Sequence, residues 1–93
     1  MKDRYKIIIQ ILIVGIQYDI EIMRIEFKAH GFIRDNVTVT YRQNNIKQEV
    51  SYSYEKGNNL EINSFASYFR NDLDKKLKEN TKWELKMVYM IFI

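Results

Sequence analysis

His30 is the only histidine in the chain. With Glu26 and Asp35 close by in sequence, it is the first place to look for acid–base chemistry, because imidazole titrates near neutral pH. A metal site built from His30, Asp35 and one further carboxylate is the other chemistry these residue types could do. The sequence offers neither of them further support, since it has no second histidine, no nucleophile beside a base and no Gly-rich phosphate loop. His30 therefore reads as a turn residue ahead of Gly31, and no catalytic residue, metal or cofactor is expected. The absence of cysteine removes disulfides, zinc ribbons and thiol nucleophiles together, and it fits a reducing, cytoplasmic setting.

The second set of chemically interesting residues is basic and aromatic. Arg34, Arg42, Lys47 and Lys56 lie around Tyr52 and Tyr54, a combination that in nucleic-acid-binding sheets supplies phosphate contacts and stacking platforms. The 15 Lys and Arg exceed the 12 Asp and Glu by a net +3 without forming a basic tail, so an acidic partner is tolerated rather than demanded. The run KKLK at 75–78 sits in a helical pattern whose charges pair at i,i+4, as Arg70–Asp74, Asp74–Lys78, Asp72–Lys76 and Lys75–Glu79. That reads as a solvated helix face, not a phosphate track.

These side chains need elements to position them. Residues 36–55 read as a β-hairpin turning at Asn44–Asn45, since Asn tolerates the positive φ of a two-residue turn. This register puts Val39 opposite Val50 and Val37 opposite Tyr52 on an apolar face. Thr38 opposite Ser51, Thr40 opposite Glu49 and Arg42 opposite Lys47 make the polar one. Tyr52 thus belongs to the core side, away from any stacking surface. Residues 16–22 alternate as a strand that continues through Ile25 and Phe27 after a β-bulge near Met23–Arg24. Phe65, Phe69, Leu73 and Leu77 recur every four residues, giving a helix from about residue 64 to about residue 80, capped by Asn63 or Ser64. The stretch IIIQILIVGI at 7–16 is too short to span a bilayer and lacks a cleavage site, so neither a membrane segment nor a signal peptide is expected. Its Ile-rich alternation predicts a strand over 7–14 that is apolar on both faces, and 82–93 predicts another. The expected fold is one α+β domain, residues 1–93. Its mainly antiparallel five-stranded sheet has the order β-β-β-β-α-β, with one helix packed on one face.

One helix can cover only one face of such a sheet. Leu12, Val88, Met90 and Phe92 are then left on the other face as an apolar patch, which predicts an interface with a second copy or another protein. Three function classes remain open. They are a non-enzymatic binding protein that modulates a macromolecule, a small nucleic-acid-binding domain using Arg34, Arg42, Lys47 and Lys56, and a compact RNase working with Lys, Arg, Tyr and the single His. In size, composition and element order the chain loosely resembles small phage-encoded anti-defence proteins, including anti-CRISPR proteins, although no motif carries the likeness and no residue roles transfer. The resemblance implies an inhibitor that docks on a nucleic-acid-handling complex. Many such inhibitors are acidic mimics of nucleic acid, whereas this chain is basic and would dock through shape and apolar contacts, or against an acidic surface or bound RNA.

Overall fold

The computed structural model describes residues 2–77. The chain begins with a helix, α1 (Lys2–Gln17), followed by the strands β1 (Glu21–His30), β2 (Arg34–Gln43) and β3 (Ile46–Glu55), and then by a short helix α2 (Asn59–Asn63). A further helix, α3, is helical from residue 65 through 77. The strands form a three-stranded antiparallel sheet in the order β1-β2-β3. The fold is α+β as expected, but the five-stranded sheet is not: the strands form a simple meander with helices at both ends. The expected strand 82–93 lies outside the described residues.

The largest correction concerns residues 7–14, which are helical and not a strand. Ile7, Ile11, Val14 and Gly15 are buried and recur at the spacing of one helix face. Tertiary packing thus overrides the β preference of a run of isoleucines. Gly15 does not break the run. It lets the helix approach β1, where an added methyl would sit 2.9 Å from Ile22 Cγ1. α1 therefore lies over β1, with Arg4 reaching back over the Phe27 ring at 5.2 Å.

The β2–β3 hairpin has the register read from the sequence, including Val39 opposite Val50, Thr38 opposite Ser51 and Arg42 opposite Lys47. The β1–β2 ladder shifts between Ile22 and Arg24, where a bulge was expected. Asn44 and Asn45 have φ of 54° and 64°, the left-handed pair that a two-residue hairpin turn needs. Replacing both by Gly should leave stability within a few tenths of a kcal/mol of the wild type, whereas Asn45→Val should cost on the order of 1 kcal/mol through backbone strain. Equal melting temperatures for the two variants would contradict this.

Val37, Val39 and Tyr41 of β2 and Tyr54 of β3 form the sheet's contribution to the core. Over them, α3 lays Phe65, Phe69 and Leu73, with Phe69 edge-on to Tyr41 and Phe65 edge-on to Tyr52 and Tyr54. Asn58 caps α2 by accepting a hydrogen bond from the Glu61 amide. Gln10, a polar side chain within the apolar stretch 7–16, fastens α1 to the α2–α3 junction. Its side-chain amide donates to the Ile62 carbonyl at 2.7 Å and its oxygen accepts from the Ala66 amide at 3.0 Å. Gln17 likewise accepts from Arg70, and Tyr18 donates to Asp74. α1 and α3 consequently run side by side in the same direction on one sheet face.

Candidate docking surface

Asp35 is the focus of the one buried charge cluster among the described residues, and it is only 3% exposed. β2 points it into the core side of the sheet, where Tyr54 donates to Oδ2 at 2.9 Å and Arg4 Nε approaches the same oxygen at 3.3 Å. Lys56 Nζ lies 3.8 Å from Oδ1, which accepts no hydrogen bond from the described residues. Burial by itself would push the Asp35 carboxyl up. The hydrogen bonds from Arg4 and Tyr54, with the charges of Arg4 and Lys56, outweigh it and hold the group below its ordinary value. Burial, with Asp35 alongside, pushes the Tyr54 phenol well above its usual range. A cleft of about 410 Å³ opens here between Asp3, Arg4, Asp35 and Lys56. Asp3 is itself engaged, accepting from the Gly57 amide at 2.9 Å. Each acid has a structural partner, so the cluster ties the start of α1 to β2 and to the turn after β3.

His30 is not part of this cluster. It ends β1 opposite Arg34 and is exposed on the face away from the helices, while Asp35 points to the opposite face. An acid–base pair of His30 with Asp35 therefore does not form. Among the described residues no group of three or more His, Cys, Asp or Glu is placed to hold a metal ion.

The outer sheet face is polar, carrying Thr38, Thr40, Ser51 and Ser53, with Thr38 and Ser51 hydrogen-bonded at 3.0 Å. Of the four basic residues read as nucleic-acid contacts, Arg42 and Lys47 stand opposite each other at one end of this face. Arg34 lies at the other end, about 27 Å along the strand. Lys56 is in the turn following β3, beside Asp35. The sheet thus does not gather them into one patch. Arg42 faces Glu21 at 3.5 Å, Arg34 faces Glu61 at 3.9 Å and Lys56 faces Asp35. A phosphate would have to displace a carboxylate at each of these three positions. Tyr52 and Tyr54 point beneath α3 and offer no stacking surface.

The charges of α3 are also used differently from the sequence reading. Among the described residues no ion pair links Arg70 to Asp74 or Asp72 to Lys76. Instead Asp72 accepts from Tyr52, Asp74 from Tyr18, and Lys76 donates to Tyr41 and Gln48. Lys78 and Glu79 lie outside the described residues. The helix is moored by its charged residues rather than solvated by them.

Among the described residues, the longest series of exposed apolar side chains on one element belongs to α1. Tyr5, Ile9, Leu12, Ile13 and Ile16 all face solvent, Ile16 being 81% exposed and Leu12 45%. They recur at i, i+4, i+7, i+8 and i+11, a single stripe opposite the buried Ile7, Ile11 and Val14. Leu12 was expected on an interface as a strand residue, and it is exposed as a helix residue. Val88, Met90 and Phe92, expected beside it, lie outside the described residues. Below Leu12 and Ile16, a groove of about 500 Å³ separates α1 from the start of β1, with Ile20 and Ile22 as its floor. The other members of the stripe were missed because strand alternation scattered them over two faces, whereas counting every third and fourth residue from Tyr5 would have collected them. No helix among the described residues is long and apolar enough to cross a membrane. The chain matches no family model, no curated protein and no solved structure.

Proposed function

We propose that the protein is a small non-enzymatic domain that binds another protein, with the outer face of α1 as its docking surface. The observation that carries this reading is the exposed stripe Tyr5, Ile9, Leu12, Ile13 and Ile16. Its spacing is that of the anchors an amphipathic helix lays into an apolar groove. A contiguous surface of this kind marks an interaction site far more often than an idle surface. Lys2 and Lys6 are exposed on the first turns of the same helix, so the fitting partner offers an apolar groove with an acidic rim. A role as a phage or mobile-element inhibitor of a nucleic-acid-handling defence complex is supported by size, composition and the resemblance to anti-defence proteins. A basic chain of this kind would engage such a complex through apolar shape rather than by imitating nucleic acid.

Capture of partners from the native host, identified by mass spectrometry after nuclease treatment, tests this. Ile9→Glu and Ile13→Glu should each weaken capture at least about tenfold while leaving the fold intact, because these side chains contribute little to the core. Arg42→Glu and Lys47→Glu should leave it unchanged. The opposite pattern, with nuclease abolishing capture, would move the function to the sheet's basic residues and to nucleic acid. A homodimer in sedimentation that Ile13→Glu dissociates would make a second copy the occupant of the stripe.

A further inference from the structure

We infer that the occupant of the α1 stripe is a second copy of the chain, whose α1 lies antiparallel to the first across a two-fold axis. This rests on the reading of that face as a docking surface and names what docks there. A two-fold contact is isologous: where one residue meets another of the partner, the reverse contact also forms. The exposed residues of α1 meet that condition in one register. Setting Tyr5 against the partner's Ile16 brings Ile9 level with the partner's Leu12, because each step forward on one helix is a step back on the other. The axis then passes between Ile9 and Leu12, and Ile13 flanks the partner's Ile9. All five side chains are exposed, and their three- and four-residue spacing keeps them on one seam.

The charges select the same arrangement. Lys2 begins α1, and Asp19 stands just past its end. Asp19 is held there by bonds from the Tyr18 amide to the Val14 carbonyl and from the Ile20 amide to the Gly15 carbonyl. Neither Lys2 nor Asp19 joins an ion pair among the described residues. The register that matches the apolar residues puts Lys2 level with the partner's Asp19, and the axis repeats the match. It also sets the positive start of each helix beside the negative end of the other. A parallel pair would instead oppose Lys2 to Lys2 and Lys6 to Lys6. The acidic rim that the lysines call for is therefore present on the chain itself. The partner's Tyr5 also reaches the mouth of the groove of about 500 Å³ beside Leu12, Ile16 and Asp19, where its phenol can donate to the carboxylate. α1 has 16 residues, a seam of roughly 24 Å. That is shorter than a standard interface of roughly 800 Å² per partner calls for, so the dimer is expected in reversible exchange at micromolar concentration.

The chain has no cysteine, so introduced ones report the register. Under mild oxidation Ile9→Cys, next to the axis, should cross-link to itself. Tyr5→Cys and Ile16→Cys should each fail alone, since their copies lie roughly 16 Å apart along the seam, beyond the roughly 7 Å between Cα atoms that a disulfide allows. Mixed together, those two variants should cross-link. In sedimentation Ile9→Glu should raise the dissociation constant at least about tenfold. Lys2→Glu and Asp19→Asn should each raise it about fivefold, because the axis doubles the contact. Asn tolerates the left-handed backbone of position 19, where φ is 52°. A wild type that stays monomeric while Ile9→Glu still abolishes capture of another protein would overturn the inference and leave α1 a docking surface. A monomer whose capture ignores Ile9→Glu would remove both readings. Self-cross-linking by Tyr5→Cys, or a dimer indifferent to Ile9→Glu, would overturn the antiparallel pair alone.

Discussion

Phe69→Ala should remove about 3–5 kcal/mol of stability, as expected for truncating a fully buried aromatic residue that its surroundings cannot collapse around. Phe69 has no exposed surface and meets the Tyr41 ring edge-on at 5.5 Å. It sits between β2 and α3, with Phe65 and Leu73 one turn away on either side of it. Against the roughly 5–15 kcal/mol typical of a whole domain, this loss would leave the variant close to unfolding. Urea denaturation followed by circular dichroism reads it as a large fall in midpoint. Tyr68→Ala, at a neighbouring position that is 43% exposed, should cost much less. If the two variants unfold at the same urea concentration, Phe69 is not the keystone of this contact.

The second large effect belongs to Asp35. Asp35→Ala leaves the buried Tyr54 hydroxyl without its acceptor and removes the charge that Arg4 and Lys56 face. A fully buried pair broken in this way costs more, but Arg4 and Lys56 are each about four-tenths exposed and can be rehydrated. The expected loss is therefore about 2 kcal/mol, or on the order of 10 °C in melting temperature. Asp35→Asn keeps an acceptor for Tyr54 and should lose less. The pH dependence separates charge from shape. Because the folded carboxyl titrates below its unfolded value, its contribution is complete above about pH 4 and disappears as pH falls through the folded value. The wild type should lose this contribution on acidification and Asp35→Asn should not. Parallel acid-unfolding curves for the two would show that the charge contributes nothing.

The part of the fold that could be read from the sequence is the part built on local alternation. Val37 to Tyr41 and Val50 to Tyr54 alternate cleanly because one sheet face is buried and the other is wet, and the two asparagines fix the turn between them. α1 was illegible for a physical reason. A helix with one face in the core and another face apolar but exposed has no polar side, so its 3.6-residue period vanishes into a uniform run. The β-branched isoleucines then tip the reading toward a strand. The discriminating signal lay in Ile7, Ile11 and Val14 taken with Gly15, which only contact with Ile22 explains. Leu12 was placed on an interface for the right reason, surplus apolar surface, but in the wrong element. Asp35 was weighed as a partner for His30, whereas strand parity sends the two to opposite faces. Its real partners, Arg4 and Tyr54, are distant in sequence and left no local trace.

The bonds from Gln10 to the Ile62 carbonyl and the Ala66 amide have a consequence for how the molecule is made. The Ala66 partner lies 56 residues further along the chain. During vectorial synthesis at roughly 5–20 residues per second, α1 emerges from the ribosome several seconds before the junction it fastens to exists. For that interval a nascent segment of isoleucine, leucine and valine has no helix beside it, and until residue 55 is made it has no complete sheet beneath it. The meander can assemble from near neighbours alone, while the final alignment of α1 waits for the chain beyond residue 66. This apolar segment is thus translated well before the residues that secure it. The moment of greatest aggregation hazard is set by translation speed rather than by the stability of the finished fold.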